Sequence, residues 1–128
     1  MKGFAAILLL AAAPAVSKPL VMRMGESWTF RIENGDPADA RKVAADAKPG
    51  RGWIKANVRA MLGTTLFITN NSPTAYTFRA ELIGPDGKAQ AARSCTLPAD
   101  NKLTLESWPQ KAAAIRIGAF RTAASGRC

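Results

Sequence analysis

The segment Tyr76–Leu82, with the sequence YTFRAEL, decides the fold class because its apolar and polar residues alternate strictly. A period of two is typical of a β-strand that buries one face against a core and exposes the other. The tetrapeptide Gly84–Gly87, with the sequence GPDG, follows almost at once and predicts a tight turn. We therefore expect a hairpin in which Lys88–Cys95 pairs with the first strand.

The same alternation recurs on both sides of this hairpin, and turn signals separate the segments by roughly ten residues. In the last third of the chain, Leu103 and Leu105 supply the apolar positions of one such segment. About seven short strands predict an all-β fold, a small antiparallel β-sandwich with an immunoglobulin-like or cupredoxin-like arrangement. A small barrel is the alternative. The further predicted strands are Leu20–Met24, Ser27–Glu33, Trp53–Ala60, Thr64–Asn70, Lys102–Ser107 and Ala113–Phe120.

One long connection, Asn34–Gly52, interrupts the strand pattern. Asp36 is suited to cap a short helix, and Pro37 fits the first turn of such a helix. The residues that would form its weakly apolar face are Ala40, Val43, Ala44 and Ala47. We expect a short helix here that rests on the sheet or stays mobile.

Residues 1–17 have the pattern of a cleavable signal peptide, because Lys2 precedes a short apolar run that small residues follow. The run is too short to span a bilayer, which needs about 20 apolar residues. Cleavage is predicted after Ala15 or after Ser17, and we favour Ser17. The chain then divides into the signal peptide and a single β-sandwich domain, 18–128, with a periplasmic or secreted location.

The chain has two cysteines, Cys95 and Cys128. An exported protein meets an oxidising compartment, which favours a disulfide over reduced thiols. A bond between these residues would contribute about 3 to 4 kcal/mol by restricting the unfolded chain. No CxxC spacing is present to tune a reactive thiol. The alternative is a redox or intermolecular role for Cys128.

The chain is strongly basic, with a net charge of +9 that would fall to +8 on loss of Lys2 with the signal peptide. A charge of this size attracts anionic partners over long distances. In an exported protein the expected partner is an anionic envelope component or an acidic protein. The alternative is that the charge only keeps the protein soluble.

A basic and aromatic cluster predicts where an anionic partner would bind. If the strand from Trp53 turns its aliphatic side chains inward, Lys55 and Arg59 point outward, and Arg51 enters from the adjoining turn. Cations beside an exposed indole ring are typical of sites for sugars or bases. The alternative is that Trp53 and Trp108 plug the ends of the sandwich.

The sequence contains no motif that predicts catalysis. Histidine is missing, and with it the usual general base and the commonest metal ligand. Gly50–Gly52 opens a strand and not a helix, so it does not form a phosphate-binding loop. The carboxylates lie in turns or beside basic residues, which is typical of solvated charges. Methionine ligands for copper have only weak support, from the spacing of Met22, Met24 and Met61.

We therefore expect no metal, no cofactor and no enzymatic activity. The leading hypothesis is a monomeric, non-enzymatic binding or structural module of the cell envelope that engages an anionic partner. One alternative is a small secreted enzyme inhibitor that acts through the 34–52 loop. A second alternative is an enzyme with a histidine-free site.

Overall fold

A computed structural model describes residues 18–125, so the predicted signal peptide and Cys128 lie outside the described residues. Within this range the chain forms nine β-strands and no helix. In chain order the strands are β1 (Leu20–Arg23), β2 (Ser27–Glu33), β3 (Asp36–Lys42), β4 (Trp53–Arg59), β5 (Thr64–Asn71), β6 (Tyr76–Ile83), β7 (Ala89–Ala92), β8 (Lys102–Trp108) and β9 (Ala114–Thr122).

The strands form two antiparallel sheets. The four-stranded sheet has the order β1-β9-β6-β7, and the five-stranded sheet has the order β3-β2-β4-β5-β8. The predicted all-β fold and antiparallel sandwich are thus confirmed, with nine described strands where about seven were expected. The choice between an immunoglobulin-like and a cupredoxin-like arrangement stays a prediction.

The core lies between the two sheets and is built from the inward-facing residue of each alternating pair. Phe120 on β9 is its aromatic centre, with ring centroids 5.8 Å from Phe30 and 5.5 Å from Phe78. Each fully buried side chain of this size contributes about 1.5–3 kcal/mol relative to an exposed one. The other large core residues with no more than about one per cent exposure are Met22, Ile54, Val58, Leu66, Ile68, Leu97, Ile115 and Ile117.

The predicted short helix in the connection 34–52 is wrong, because β3 occupies its first half and pairs with β2. Asn34 and Gly35 both have positive φ, at 52° and 83°. These values define the two-residue hairpin turn for which an Asn-Gly dipeptide is the strongest short-range signal. The turn pairs Glu33 with Asp36. Hairpin formation therefore outweighs the capping preference of Asp36.

The second half of the connection, residues 43–52, crosses the outer face of the five-stranded sheet. Its backbone is held there by Asn71, whose Nδ2 donates to the carbonyl of Pro49 over 2.9 Å. The amide of Gly52 donates in turn to the carbonyl of Asn71 over 2.6 Å. This covering segment buries polar side chains that the strand pattern alone would leave exposed.

Edge strand β8 has the opposite orientation to the one its apolar positions predict. Leu103 and Leu105 are 56% and 54% exposed, whereas Glu106 and Trp108 point inward and are buried. The Trp108 indole is fixed by a 2.9 Å hydrogen bond from Nε1 to the carbonyl of Arg93. Because side chains alternate with a period of two, burial of Trp108 places both leucines on the solvent side.

Candidate anionic-ligand site

The four predicted site residues do not form one continuous strip. Trp53, Lys55 and Arg59 alternate along β4 and face away from the core, and Arg51 is exposed in the turn before β4. However, the covering segment 43–52 lies over the middle of this row. Lys55 is only 6% exposed as a result.

Lys55 anchors the covering segment and is not available to a ligand. Its Nζ donates hydrogen bonds to the carbonyl oxygens of Ala45 and Ala47. Burial lowers the pKa of Lys55, the charge of Asp46 opposes this effect, and Arg59 adds to it. The prediction that Lys55 is an exposed part of the binding strip is therefore wrong.

Arg59 lies at the far end of β4, about 20 Å from Trp53 at the usual rise per residue. Its guanidinium donates to the carbonyl oxygen of Val58 over 2.9 Å and to Ser27 Oγ over 3.4 Å. A longer hydrogen bond of 3.5 Å reaches the carbonyl of Glu26. These contacts hold the connection between β1 and β2, and they separate Arg59 from the other predicted site residues.

Trp53 is half-buried on the outer face of the sheet, where two arginines approach its ring. The guanidinium carbons of Arg31 and Arg41 lie 5.4 Å and 5.7 Å from the ring centroid. Both distances are within the range of attractive cation–π contacts. Trp108 is buried in the core, but Trp53 does not plug an end of the sandwich. The indole ring of Trp53 therefore forms cation–π contacts with Arg31 and Arg41.

The two arginines differ in how far carboxylates compensate their charge. Arg31 is paired with Glu33 over 3.3 Å and also with Asp39, and the hydrogen bond that Arg31 donates to Asp39 raises the pKa of Arg31. No carboxylate oxygen within residues 18–125 lies within ion-pair distance of Arg41. Arg41 is thus positioned by the indole ring while its charge remains uncompensated.

Two shallow depressions flank Trp53. One, of about 270 Å³, includes Arg41 and Lys48 in its lining, and the other, of about 320 Å³, includes Arg31 and Arg51. We call Arg41, Lys48, Arg51 and Trp53 the Trp53 patch. Its three cations are exposed and, in the described part of the chain, none has a carboxylate within 4 Å. Exposed guanidinium groups without a carboxylate partner can donate paired hydrogen bonds to phosphate, sulfate and carboxylate groups.

Arg51 and Trp53 were expected from the sequence, whereas Arg41 and Lys48 were not. Both missed residues lie in the connection to which a short helix was assigned. The Asn34-Gly35 turn would have revealed Arg41, since a two-residue hairpin brings β3 alongside β2 and places Arg41 opposite Thr29. Lys48 belongs to the irregular covering segment, for which the sequence contains no comparable signal.

Lysine, hydroxyl and carboxylate side chains also occur outside the Trp53 patch in the described structure. A depression of about 590 Å³ includes Thr74, Lys102 and Ser125 in its lining, but no hydrogen bond among the described residues joins Lys102 to either hydroxyl. Burial raises the pKa of Glu106, and the backbone amide of Cys95, which donates to this carboxylate, opposes the shift. Between residues 18 and 125 no cluster of three or more metal-ligating side chains occurs.

Helical segments with the length and apolar character of a membrane span do not occur in the described part of the chain. Comparison with protein-family models finds no match to this chain, and neither the search of curated proteins nor that of solved structures finds one. The Trp53 patch is therefore the feature of the molecule from which we infer a function.

Proposed function

We propose that the protein is a non-enzymatic binding module that is exported to the cell envelope and holds an anionic partner at the Trp53 patch. The observation that supports this proposal is the arrangement of three exposed, uncompensated cations around one half-buried indole ring. The partner class is a polymer or surface with repeated phosphate, sulfate or carboxylate groups, such as an acidic polysaccharide of the envelope.

The indole ring contributes by limiting the motion of Arg41. An arginine that is already held over a ring loses less rotamer entropy when it binds an anion than a free arginine does. Lys48 and Arg51, on either side of Trp53, add point charges that extend the attraction. A polyanion that neutralises three cations releases about as many counterions, so its affinity decreases steeply with salt.

The inhibitor hypothesis has less support from the same region. An inhibitory loop must project far enough to enter the active site of another protein. In residues 34–52, however, β3 is paired along β2, and the remainder is hydrogen-bonded onto the sheet through Lys55 and Asn71. A surface formed by a strand and a packed segment suits an extended partner better than a cleft.

The same proposal includes export and the disulfide. Residues 1–17 would be removed as a signal peptide, and the oxidising location would join Cys95 to Cys128. The bond would attach the end of the chain to the segment between β7 and β8. Neither cysteine belongs to the Trp53 patch, so neither proposal depends on the other.

The test compares two variants with the same loss of charge. Arg41→Gln with Arg51→Gln removes two patch cations, and Arg79→Gln with Arg121→Gln removes two exposed arginines from the four-stranded sheet. Binding to heparin, used as a sulfated polysaccharide, is measured by calorimetry at several salt concentrations. We expect the patch variant to lose at least about tenfold in affinity and to have a smaller salt dependence. Equal losses in the two variants would contradict the patch and leave only a net-charge effect.

A further inference from the structure

The hairpin between β4 and β5 carries two neighbouring apolar side chains that the fold exposes at its tip. Met61 is 51% exposed and Leu62 is fully exposed. Leu62 also has a φ of 48°, in the left-handed region that a branched side chain rarely adopts. An exposed leucine in an unfavourable backbone conformation gains nothing from packing within the described chain.

This tip is held firmly although Met61 is half-exposed and Leu62 is fully exposed. A Cβ at Gly63 would lie 2.3 Å from the carbonyl oxygen of Trp108, so the backbone approaches as closely as glycine permits. Thr64 Oγ1 donates to the carbonyl of Gln110 over 2.8 Å and accepts from the amide of Ala112 over 2.9 Å. The fold therefore presents Met61 and Leu62 in a fixed position and not on a loose loop.

Three exposed cations lie at the same end of the sandwich, one at the end of β1 and two in connections. The amide of Gly25 donates to the carbonyl of Val58, which brings the β1–β2 connection beside the end of β4. Ala113 bonds to both Met24 and Ile83, and so joins the β8–β9 connection to the β1–β2 connection and the β6–β7 hairpin. The exposed cations at this end are Arg23, the last residue of β1, and Lys88 and Lys111 in the β6–β7 and β8–β9 connections.

The carboxylates at this end are fewer than the cations, and they already have partners within the protein. Glu26 accepts from the backbone amide of Arg23 and forms a 3.0 Å ion pair with Lys42. Asp86 accepts a 3.0 Å hydrogen bond from the backbone amide of Lys88. We call Arg23, Met61, Leu62, Lys88 and Lys111 the apolar tip. It combines a small apolar projection with a surrounding excess of positive charge.

We infer that the apolar tip binds a lipid bilayer that contains anionic phospholipids. Met61 and Leu62 enter the headgroup region, and Arg23, Lys88 and Lys111 contact lipid phosphates. Apolar insertion together with cation attraction is how interfacial proteins bind anionic membranes. A soluble polyanion would use only the cations. Two apolar side chains are too few for a stable protein interface, which buries about 800 Å² on each partner.

This inference goes beyond the proposed function because it uses a separate surface. The Trp53 patch lies near the start of β4 and the apolar tip follows its end, about 20 Å away. One molecule could therefore bind a bilayer through the tip while the patch faces an anionic polymer. Failure of either surface leaves the other unaffected.

The experiment measures co-sedimentation of the complete protein with vesicles of phosphatidylcholine alone and of phosphatidylcholine mixed with phosphatidylglycerol. Met61→Ser with Leu62→Ser should lower partitioning onto the anionic vesicles at least about tenfold, because two apolar side chains no longer leave water. Leu103→Ser with Leu105→Ser is the matched control, since it removes two similarly exposed apolar side chains from β8. This control should bind as the unchanged protein does.

A second arm tests the cations. Arg23→Gln, Lys88→Gln and Lys111→Gln should each lower binding to anionic vesicles about fivefold, in line with the attraction of one basic residue to such a surface. The serine tip variant should retain its affinity for heparin at the Trp53 patch. Lack of binding to anionic vesicles, or equal binding by the tip and β8 variants, would overturn the inference.

Discussion

Replacement of Lys55 by glutamate should destabilise the protein strongly, although strand alternation alone would place this residue on the surface. The ammonium group donates to the carbonyl oxygens of Ala45 and Ala47 beneath the covering segment. A carboxylate in the same position would face two acceptors with no donor between them. The expected effect is therefore loss of both hydrogen bonds and burial of an unpaired negative charge.

The magnitude follows from these contacts. Hydrogen bonds that involve a charged group contribute about 1.5–3 kcal/mol each, and an uncompensated buried charge typically costs about 3–5 kcal/mol. The cost of the buried charge already includes the lost contacts, so the two figures are not summed, and we expect Lys55→Glu to lower the free energy of unfolding by about 4 kcal/mol. A domain of this size has a total of roughly 5–15 kcal/mol, so the loss is a large fraction of its stability.

The assay is urea unfolding of the complete protein, followed by tryptophan fluorescence and circular dichroism. Lys48→Glu is the matched control, because Lys48 is exposed on the same segment and undergoes the same charge reversal. It should change the free energy of unfolding by less than about 0.5 kcal/mol. Lys55→Met should have an intermediate cost of about 1–3 kcal/mol, because it leaves the carbonyls unpaired without a new charge. Equal unfolding midpoints for the two glutamate variants would refute the buried position of Lys55.

Three further predictions concern stability and processing. Glu26 has its pKa lowered to about 2, chiefly by the backbone amide of Arg23 at the end of β1, so Glu26→Gln should cost about 2 kcal/mol at pH 7. The difference in free energy of unfolding between Glu26→Gln and the unchanged protein should disappear as the pH falls from 4.5 towards 2 in urea titrations. A difference that stays constant with pH would contradict this linkage. Gly63→Ala should cost about 3 kcal/mol in the same assay, because its methyl group would meet the carbonyl of Trp108; an unchanged midpoint would disprove that contact. The exported protein should lack residues 1–17 and show no titratable thiol by mass spectrometry and alkylation, whereas alkylation of Cys95 and Cys128 in the native protein would argue against the disulfide.

The sandwich could be predicted from the sequence because strand alternation is a local property. Tyr76–Leu82 shows it without interruption, and in the structure β6 buries the expected face. Two features, strand β3 and the orientation of β8, were not predicted because local signals conflict there. Asp36-Pro37 favours a helix start, but the preceding Asn34-Gly35 turn dominates. In β8 the visible apolar residues are the exposed ones, since burial of Trp108 sets the register.

The candidate site depends more on tertiary contacts, so less of it could be predicted. Trp53 and Arg51 are adjacent to a strand start and could be recognised from composition. The alternation along β4 places Lys55 at an outward-facing position, where a side chain is normally exposed. It is buried because the covering segment crosses the sheet above it. Arg41 reaches the indole ring because β3 pairs with β2, which the Asn34-Gly35 turn signals but the pattern of charges does not.

The most direct test of the Trp53 patch follows the three indole N–H groups by nitrogen–proton NMR during titration with heparin. The indole groups of Trp28 and Trp108 donate to Glu26 and to the carbonyl of Arg93, away from the patch. We expect the Trp53 resonance, assigned with Trp53→Phe, to shift as ligand engages the arginine above the ring, and to return when salt is added. Heparin binding that leaves the Trp53 resonance unmoved, or shifts all three resonances equally, would contradict the proposed site.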